Sequence, residues 1–234
     1  MKRQGLLITL EGIDGTGKST QAKRLAAWLR RCGFRVCVTR EPGGTRGGEQ
    51  IREILLSSAT RSLTPLAELA LMYAARAQHL DEVVRPALAQ GAIVISDRYN
   101  DASFAYQGFG RRLGEQPVRI LDRLICGPTQ PDLTLVLDAP LRLAFSRVLT
   151  RERDGSYRRF ESSGRAFYER VRRGYLAIAR REPKRVKLIR AGRTPAEVQA
   201  EIREVVKRFL VARSSRNRGK PGSVLAFSRA EHGL

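Results

Sequence analysis

Cysteine, histidine and aromatic residues are scarce in this chain, and each scarcity removes a class of function. The three cysteines, Cys32, Cys37 and Cys126, form no C-x-x-C pair and no cluster with the two histidines, His79 and His232. Neither a zinc site nor a disulfide framework is expected. Aromatic residues are only 6% of the chain and no base-stacking or groove-reading module is visible, which argues against a nucleic-acid-dependent ATPase as the primary function. No apolar run reaches the roughly 18 residues that a membrane-spanning helix needs. Met1, Lys2 and Arg3 pass directly into an apolar segment, leaving no room for a signal peptide, so a cytoplasmic protein without membrane contact is expected.

Acidic residues are also short, with 23 Asp and Glu against 44 Lys and Arg and a net charge of +21. The excess is uneven: residues 142–193 hold 17 basic against 5 acidic side chains, and residues 212–234 hold 5 against 1. A solvated basic face is one reading of such runs. The other assigns part of the first cluster to an anionic nucleotide, and weak, salt-sensitive polyanion binding to the tail.

Against these absences stands one strong motif. Gly12, Ile13, Asp14, Gly15, Thr16, Gly17, Lys18, Ser19 and Thr20 spell a phosphate-binding loop. The apolar run Leu6–Leu10 precedes it, and Ala22, Leu25, Ala26 and Leu29 follow at helical spacing, so the loop joins a buried strand to a helix. Glycines let backbone N–H groups turn toward phosphate oxygens, and the helix N-terminus adds partial positive charge. Lys18 then reaches the β- and γ-phosphates of a nucleotide, and the Ser19 hydroxyl is placed for Mg²⁺.

Further strands are expected at Arg35–Thr39, Ala92–Ile95, Leu133–Leu137 and Val186–Ile189, with helices between them and a long helical region over residues 65–90. This alternation predicts an α/β fold, a doubly wound parallel sheet of five strands flanked by helices. The expected organisation is a kinase-like domain over residues 1–211 with a small lid at about 150–163, then a basic, flexible tail at 212–234. Ligands bind beyond the carboxyl ends of strands in such sheets. The Gly12 loop, the Glu41-Pro42-Gly43-Gly44 turn, Asp97-Arg98 and Asp138 all lie at such ends.

Phosphoryl transfer asks mainly for positioning and for charge near the moving group. Lys18 and Ser19 answer at the donor. Asp97 can hold a metal ion through water, and Arg98 can span donor and acceptor phosphates, although an Asp-Arg pair at a strand end can also be a structural salt bridge. Arginines 147, 151, 153, 158, 159 and 165 flank or occupy the lid. Cations over the γ-phosphate must leave for product release and are suited to a mobile segment.

Seven segments together resemble the thymidylate kinase family: G-I-D-G-T-G-K-S-T at 12–20, T-R-E-P-G-G-T at 39–45, Y-A-A-R-A-Q at 73–78, D-R-Y at 97–99, A-Y-Q-G at 105–108, P-D-L-T-L-V-L-D at 131–138 and R-F-E at 159–161. The likeness runs from about residue 5 to residue 210. It implies transfer of the γ-phosphate of ATP to dTMP with Mg²⁺ held near Ser19 and Asp97. It also implies a homodimer, with apolar helix faces near Leu66 to Tyr73 or Phe104 as candidate contacts. Asp14 would approach the acceptor 3′-hydroxyl, bordered by Glu41 and Pro42. Arg76 and Gln107 would hydrogen-bond the thymine edge, with Met72 or Tyr73 over the ring, and Ser103 and Arg98 complete the acceptor set. Tyr106 would sit beneath the sugar C2′, although a core aromatic is the alternative reading. Gly15 stands where some members carry a catalytic arginine, which moves that role to the lid. Arg153 and Arg159 are the candidates and Arg151 and Arg158 the competitors. Two departures stand out: Arg158 replaces an acidic residue before Arg159-Phe160-Glu161, and Gly47 and Gly48 follow Thr45, which predicts a late start for the next helix.

Overall fold

The computed structural model describes residues 5–57, 63–149 and 164–216. Five strands, β1 (Leu6–Glu11), β2 (Val36–Arg40), β3 (Ile93–Asp97), β4 (Leu133–Asp138) and β5 (Val186–Arg190), form one sheet in the order β2-β3-β1-β4-β5. Every pairing is parallel. Both faces of the central strands β1, β3 and β4 are covered, which is why these read as nearly continuous apolar runs rather than as alternation. Leu7, Val94 and Val136 point into one core, while Ile8, Leu10, Ile95 and Leu135 point into the other.

The second core is closed by α1 (Lys18–Arg31) through Leu25 and Leu29, and by α9 (Pro195–Arg216) through Ile202 and Val206. The first is closed by α3 (Pro65–His79) and by α8 (Gly164–Arg181), whose Phe167, Tyr168, Val171 and Tyr175 share one buried face. Because β1 lies between β3 and β4, the loops leaving β1 and β3 open side by side. Leu10 is in register with Asp97.

Several expectations needed adjustment. The helix α2 (Arg46–Leu56) begins directly after Thr45 despite its two glycines. Thr45 Oγ1 accepts the Gly48 N–H at 3.0 Å, and a Cβ on Gly48 would lie 2.8 Å from that oxygen and 3.0 Å from Gly43 O. Glycine thus permits the close turn, and the capping bond offsets the propensity cost. The long helical region at 65–90 is α3, a π-helical turn at Leu80–Val84, and α4 (Arg85–Ala89). Similar π-helical turns, Phe104–Gly110 and Asp122–Cys126, extend α5 (Asn100–Ser103) and α6 (Glu115–Leu121). The final helix passes the boundary expected at 211 and reaches Arg216, with Arg213 Nη1 2.7 Å from Asp132 Oδ1. The lid sequence, with Arg151, Arg153, Arg158 and Arg159, lies outside the described residues between α7 (Leu141–Leu149) and α8, as does the tail from 217. Among the described residues, no helix is long and apolar enough to cross a membrane.

Candidate functional site

The loop from Gly12 to Gly17 turns because three of its glycines, at 12, 15 and 17, take positive φ. Gly12 has a second reason: a Cβ there would stand 2.5 Å from Leu137 O. Thr16 Oγ1 donates to Ile13 O at 2.9 Å and fixes the loop's own turn. Lys18 opens α1 yet folds its ammonium back over the loop, donating to Gly12 O at 3.1 Å and Ile13 O at 2.9 Å. Burial, reinforced by the Arg98 charge, brings this ammonium down to about 8. An arriving anion would favour its charged form.

Next to it, Ser19 Oγ donates to Asp97 Oδ2. A hydroxyl and a carboxylate that meet at a phosphate loop are hard oxygen donors suited to Mg²⁺, which retains waters alongside one or two protein oxygens. The residues present therefore fit the metal ion that the sequence implies. When bound, it neutralises charge on the phosphates.

Arg98 sits at the centre of the cleft. Its Nη2 lies 2.7 Å from Asp14 Oδ1 and 2.9 Å from the Tyr106 hydroxyl, and its Nη1 donates to Gly12 O at 3.0 Å and to the Tyr175 hydroxyl at 3.2 Å. The Tyr106 hydroxyl also donates to Asp14 Oδ2 at 3.1 Å. Burial opposes ionisation of Asp14, but the charges of Arg98 and Lys18 prevail and hold the carboxyl below the usual carboxylate range. Tyr106 is thus neither a plain core aromatic nor a bare wall. Its ring packs edge-on against Phe167, Tyr168 and Tyr175 while its hydroxyl faces the charged pair.

Arg76, on α3, is 2% exposed and engages three partners. It donates through Nε to Glu41 Oε2 at 2.7 Å, through Nη1 to Ser103 Oγ at 3.1 Å and through Nη2 to Tyr99 O at 2.9 Å. The other Glu41 oxygen meets His79 Nδ1 at 2.8 Å, and His79 Nε2 meets Thr39 Oγ1. Despite burial, Arg76 and His79 hold the Glu41 carboxyl below its usual range. Gln107 donates to Glu68 at 2.7 Å, and Arg111 pairs with the same carboxylate. Tyr73 is fully buried, with the Arg76 guanidinium 4.4 Å from its ring centroid. Of the two residues expected over a base, the half-buried one is Met72. Pro42 follows Glu41 through a cis peptide bond.

Asp138, at the end of β4, is held by Arg172 at 2.6 and 2.8 Å. Beside it, α7 and α8 border a cavity of about 650 Å³ lined in part by Phe145, Arg165 and Arg172. Arg165 is paired with Glu169, as Arg172 is with Asp138. Sequence reasoning missed Glu11, Glu68, Tyr168 and Tyr175. For the tyrosines a signal existed: seven residues apart on one helix, they share a face, and a buried tyrosine needs a partner for its hydroxyl.

The chain also has named relatives. A family model described as thymidylate kinase matches residues 10–202. The chain is 47% identical over 209 residues to a thymidylate kinase of Pseudomonas savastanoi pv. phaseolicola, covering 89% of this chain and 98% of the relative. It is 49% identical over 198 residues to one from Pseudomonas entomophila, covering 85% and 93%. Among solved structures, the crystal structure of thymidylate kinase from Ehrlichia chaffeensis is similar at a TM-score of 0.70 and 32% identity, covering 87% of this chain and 98% of that one. With its phosphate loop, its parallel sheet and these relatives, the chain belongs to the thymidylate kinase family, ATP-dependent and Mg²⁺-requiring phosphotransferases that convert dTMP to dTDP in nucleotide biosynthesis.

Proposed function

We propose how this chain's own residues divide the reaction. The loop at Gly12–Thr20 holds the ATP phosphates, with Lys18 on the β- and γ-phosphates, and Ser19 with Asp97 holds Mg²⁺. Glu41, Pro42, Met72, Arg76, Ser103 and Gln107 form the dTMP site, with Met72 over the thymine and Tyr106 beneath the sugar. Asp14 meets the 3′-hydroxyl and Arg98 bridges the two phosphates. A dTMP phosphate oxygen forms a bond to the γ-phosphorus, and the bond from that phosphorus to the β-phosphate oxygen breaks, leaving ADP. Arg153 and Arg159 supply charge to the moving phosphoryl group.

The observation that carries this reading is the position of Arg98, which touches both the phosphate loop at Gly12 O and Asp14 and the acceptor-side Tyr106. Its test is ADP formation from ATP and Mg²⁺ with dTMP, dUMP, UMP, AMP, GMP, CMP and thymidine offered separately. Selective turnover of dTMP, lost by at least about a hundredfold in a folded Arg98→Ala protein, is the expected result. Near-normal turnover in that variant overturns the assignment.

We further propose a cytoplasmic homodimer. Phe104 packs within the chain's own core, whereas Leu66, Ile120 and Leu124 are exposed apolar side chains. A monomer at micromolar concentration in sedimentation would count against the dimer. The basic tail from 217 binds polyanions weakly; binding insensitive to salt, or unchanged on deletion of 217–234, would remove that role.

A further inference from the structure

The pairing of β1 with β3 continues past the end of β3. Arg98 N–H donates to Leu10 O at 3.0 Å. The next backbone donor, Tyr99 N–H, meets a side chain instead of a carbonyl: Glu11 Oε1 accepts it at 2.7 Å. Between these two bonds Arg98 adopts a φ of 74°, in the left-handed region that non-glycine residues seldom occupy. The Ser96 hydroxyl fastens the same turn from the other side by donating to Arg98 O at 2.6 Å.

Glu11's second oxygen accepts the Tyr175 hydroxyl at 2.8 Å, and that hydroxyl oxygen accepts Arg98 Nη1 at 3.2 Å. A closed circuit results. It leaves the Glu11 carboxyl, enters Arg98 through the backbone, and returns from the guanidinium by way of Tyr175. Glu11 and Tyr175 are 0% and 1% exposed, so neither faces the cleft. Glu11 keeps an acceptor for Tyr99 N–H and a hydrogen bond to Tyr175 in either protonation state, because a protonated Oε2 can donate to the phenol oxygen.

We propose that Glu11 is a positioning residue for phosphoryl transfer, fixing the Arg98 backbone through Tyr99 and the Arg98 guanidinium through Tyr175. Reach alone does not place a flexible arginine. Gly12 O and Asp14 belong to the phosphate loop, whereas Tyr106 and Tyr175 hold the guanidinium from the first core, and of these two Tyr175 is the one bonded to Glu11. The inference rests on Arg98 acting on the phosphates, and it extends that role to two residues that touch no substrate.

Steady-state kinetics with ATP and dTMP, together with thermal unfolding, would test it on Glu11→Leu, which removes both hydrogen bonds, Tyr175→Phe, their combination, Arg98→Ala, and Tyr175→Phe with Arg98→Ala. The expected result is a kcat lowered roughly tenfold in each of the first two, with the KM for ATP within about twofold of wild type. Combining them should cost little more than either alone. Adding Tyr175→Phe to Arg98→Ala should cost nothing further. Should Glu11→Leu fail to fold, Tyr175→Phe alone carries the comparison. A folded Tyr175→Phe with unchanged kcat while Arg98→Ala is inactive overturns the proposal, as does a loss that persists in full without Arg98. An active Arg98→Ala would instead remove the underlying assignment of Arg98.

Discussion

Arg76 and Glu41 form an ion pair 2.7 Å long in which the side chains are 2% and 3% exposed. Taking away one charge would strand the other in the interior, a change that costs about 3–5 kcal/mol for buried pairs. Glu41→Gln should therefore lower the urea midpoint sharply while leaving the m-value alone. It should also raise the KM for dTMP more than that for ATP if Arg76 belongs to the dTMP site as proposed. Equal stability of variant and wild type would mean that the pair's attraction only balances its desolvation.

Glu11 gives a pH dependence of stability. Burial first, and then the neighbouring Asp101 carboxylate, push its carboxyl up from 4.5 to about 8, against the opposing effects of Arg98, Tyr175 and Tyr99 N–H. Between those values the folded chain binds the proton and the unfolded chain does not. Stability from this group is therefore full below 4.5 and falls as pH rises toward 8, by up to about 1.4 kcal/mol per pH unit. Glu11→Gln should flatten the melting temperature over that interval. Parallel curves for variant and wild type would show that Glu11 is ionised throughout.

Two glycines of the phosphate loop separate strain from collision. A Cβ on Gly17 meets nothing within 4 Å, so Gly17→Ala bears only the left-handed conformation, about 1–2 kcal/mol. A Cβ on Gly12 lies 2.5 Å from Leu137 O, so Gly12→Ala must also displace β4. Denaturant unfolding should rank Gly12→Ala as clearly the worse of the two. The reverse order would mean that β4 yields easily.

The proposed assignment gives Tyr106 two separable jobs. Removing its hydroxyl in Tyr106→Phe leaves Arg98 and Asp14 paired with each other, and should lower kcat/KM for dTMP by roughly 3–10-fold. Removing the ring in Tyr106→Ala should narrow the preference for dUMP over UMP, which differ only at the 2′-position. A preference unchanged in Tyr106→Ala would detach the ring from sugar selection.

The central strands were legible because both of their faces are buried, so Leu6–Leu10, Ile93–Ile95 and Leu133–Leu137 are apolar but for Thr9 and Thr134. The phosphate loop was legible because its function fixes residue type at fixed spacing. Less was readable where tertiary contacts decide. The start of α2 depends on Gly48 passing close to Thr45, which propensity counts as a penalty. The π-helical turns at Leu80–Val84 and Phe104–Gly110 leave the apolar periodicity almost untouched. Met72 and Tyr73 are adjacent, and only packing shows that Tyr73 faces inward. The partners of Arg98 come from β1, the phosphate loop, the turn after α5 and α8, a meeting that no local pattern encodes.

A polar column crosses the first core beneath the sheet. Thr9 Oγ1 and Thr134 Oγ1 are 2.9 Å apart, Thr134 donates to Asp101 at 2.9 Å, and Arg185 grips both Asp101 oxygens at 2.6 and 3.0 Å. Thr9 and Thr134 are register partners in β1 and β4. Sliding β4 by one residue would bring Leu133 or Leu135 opposite Thr9 and tear Asp101 from its hydroxyl partner in the interior. The column therefore works as an alignment key during assembly: an apolar sheet that would tolerate several offsets is left with one that satisfies its buried charges.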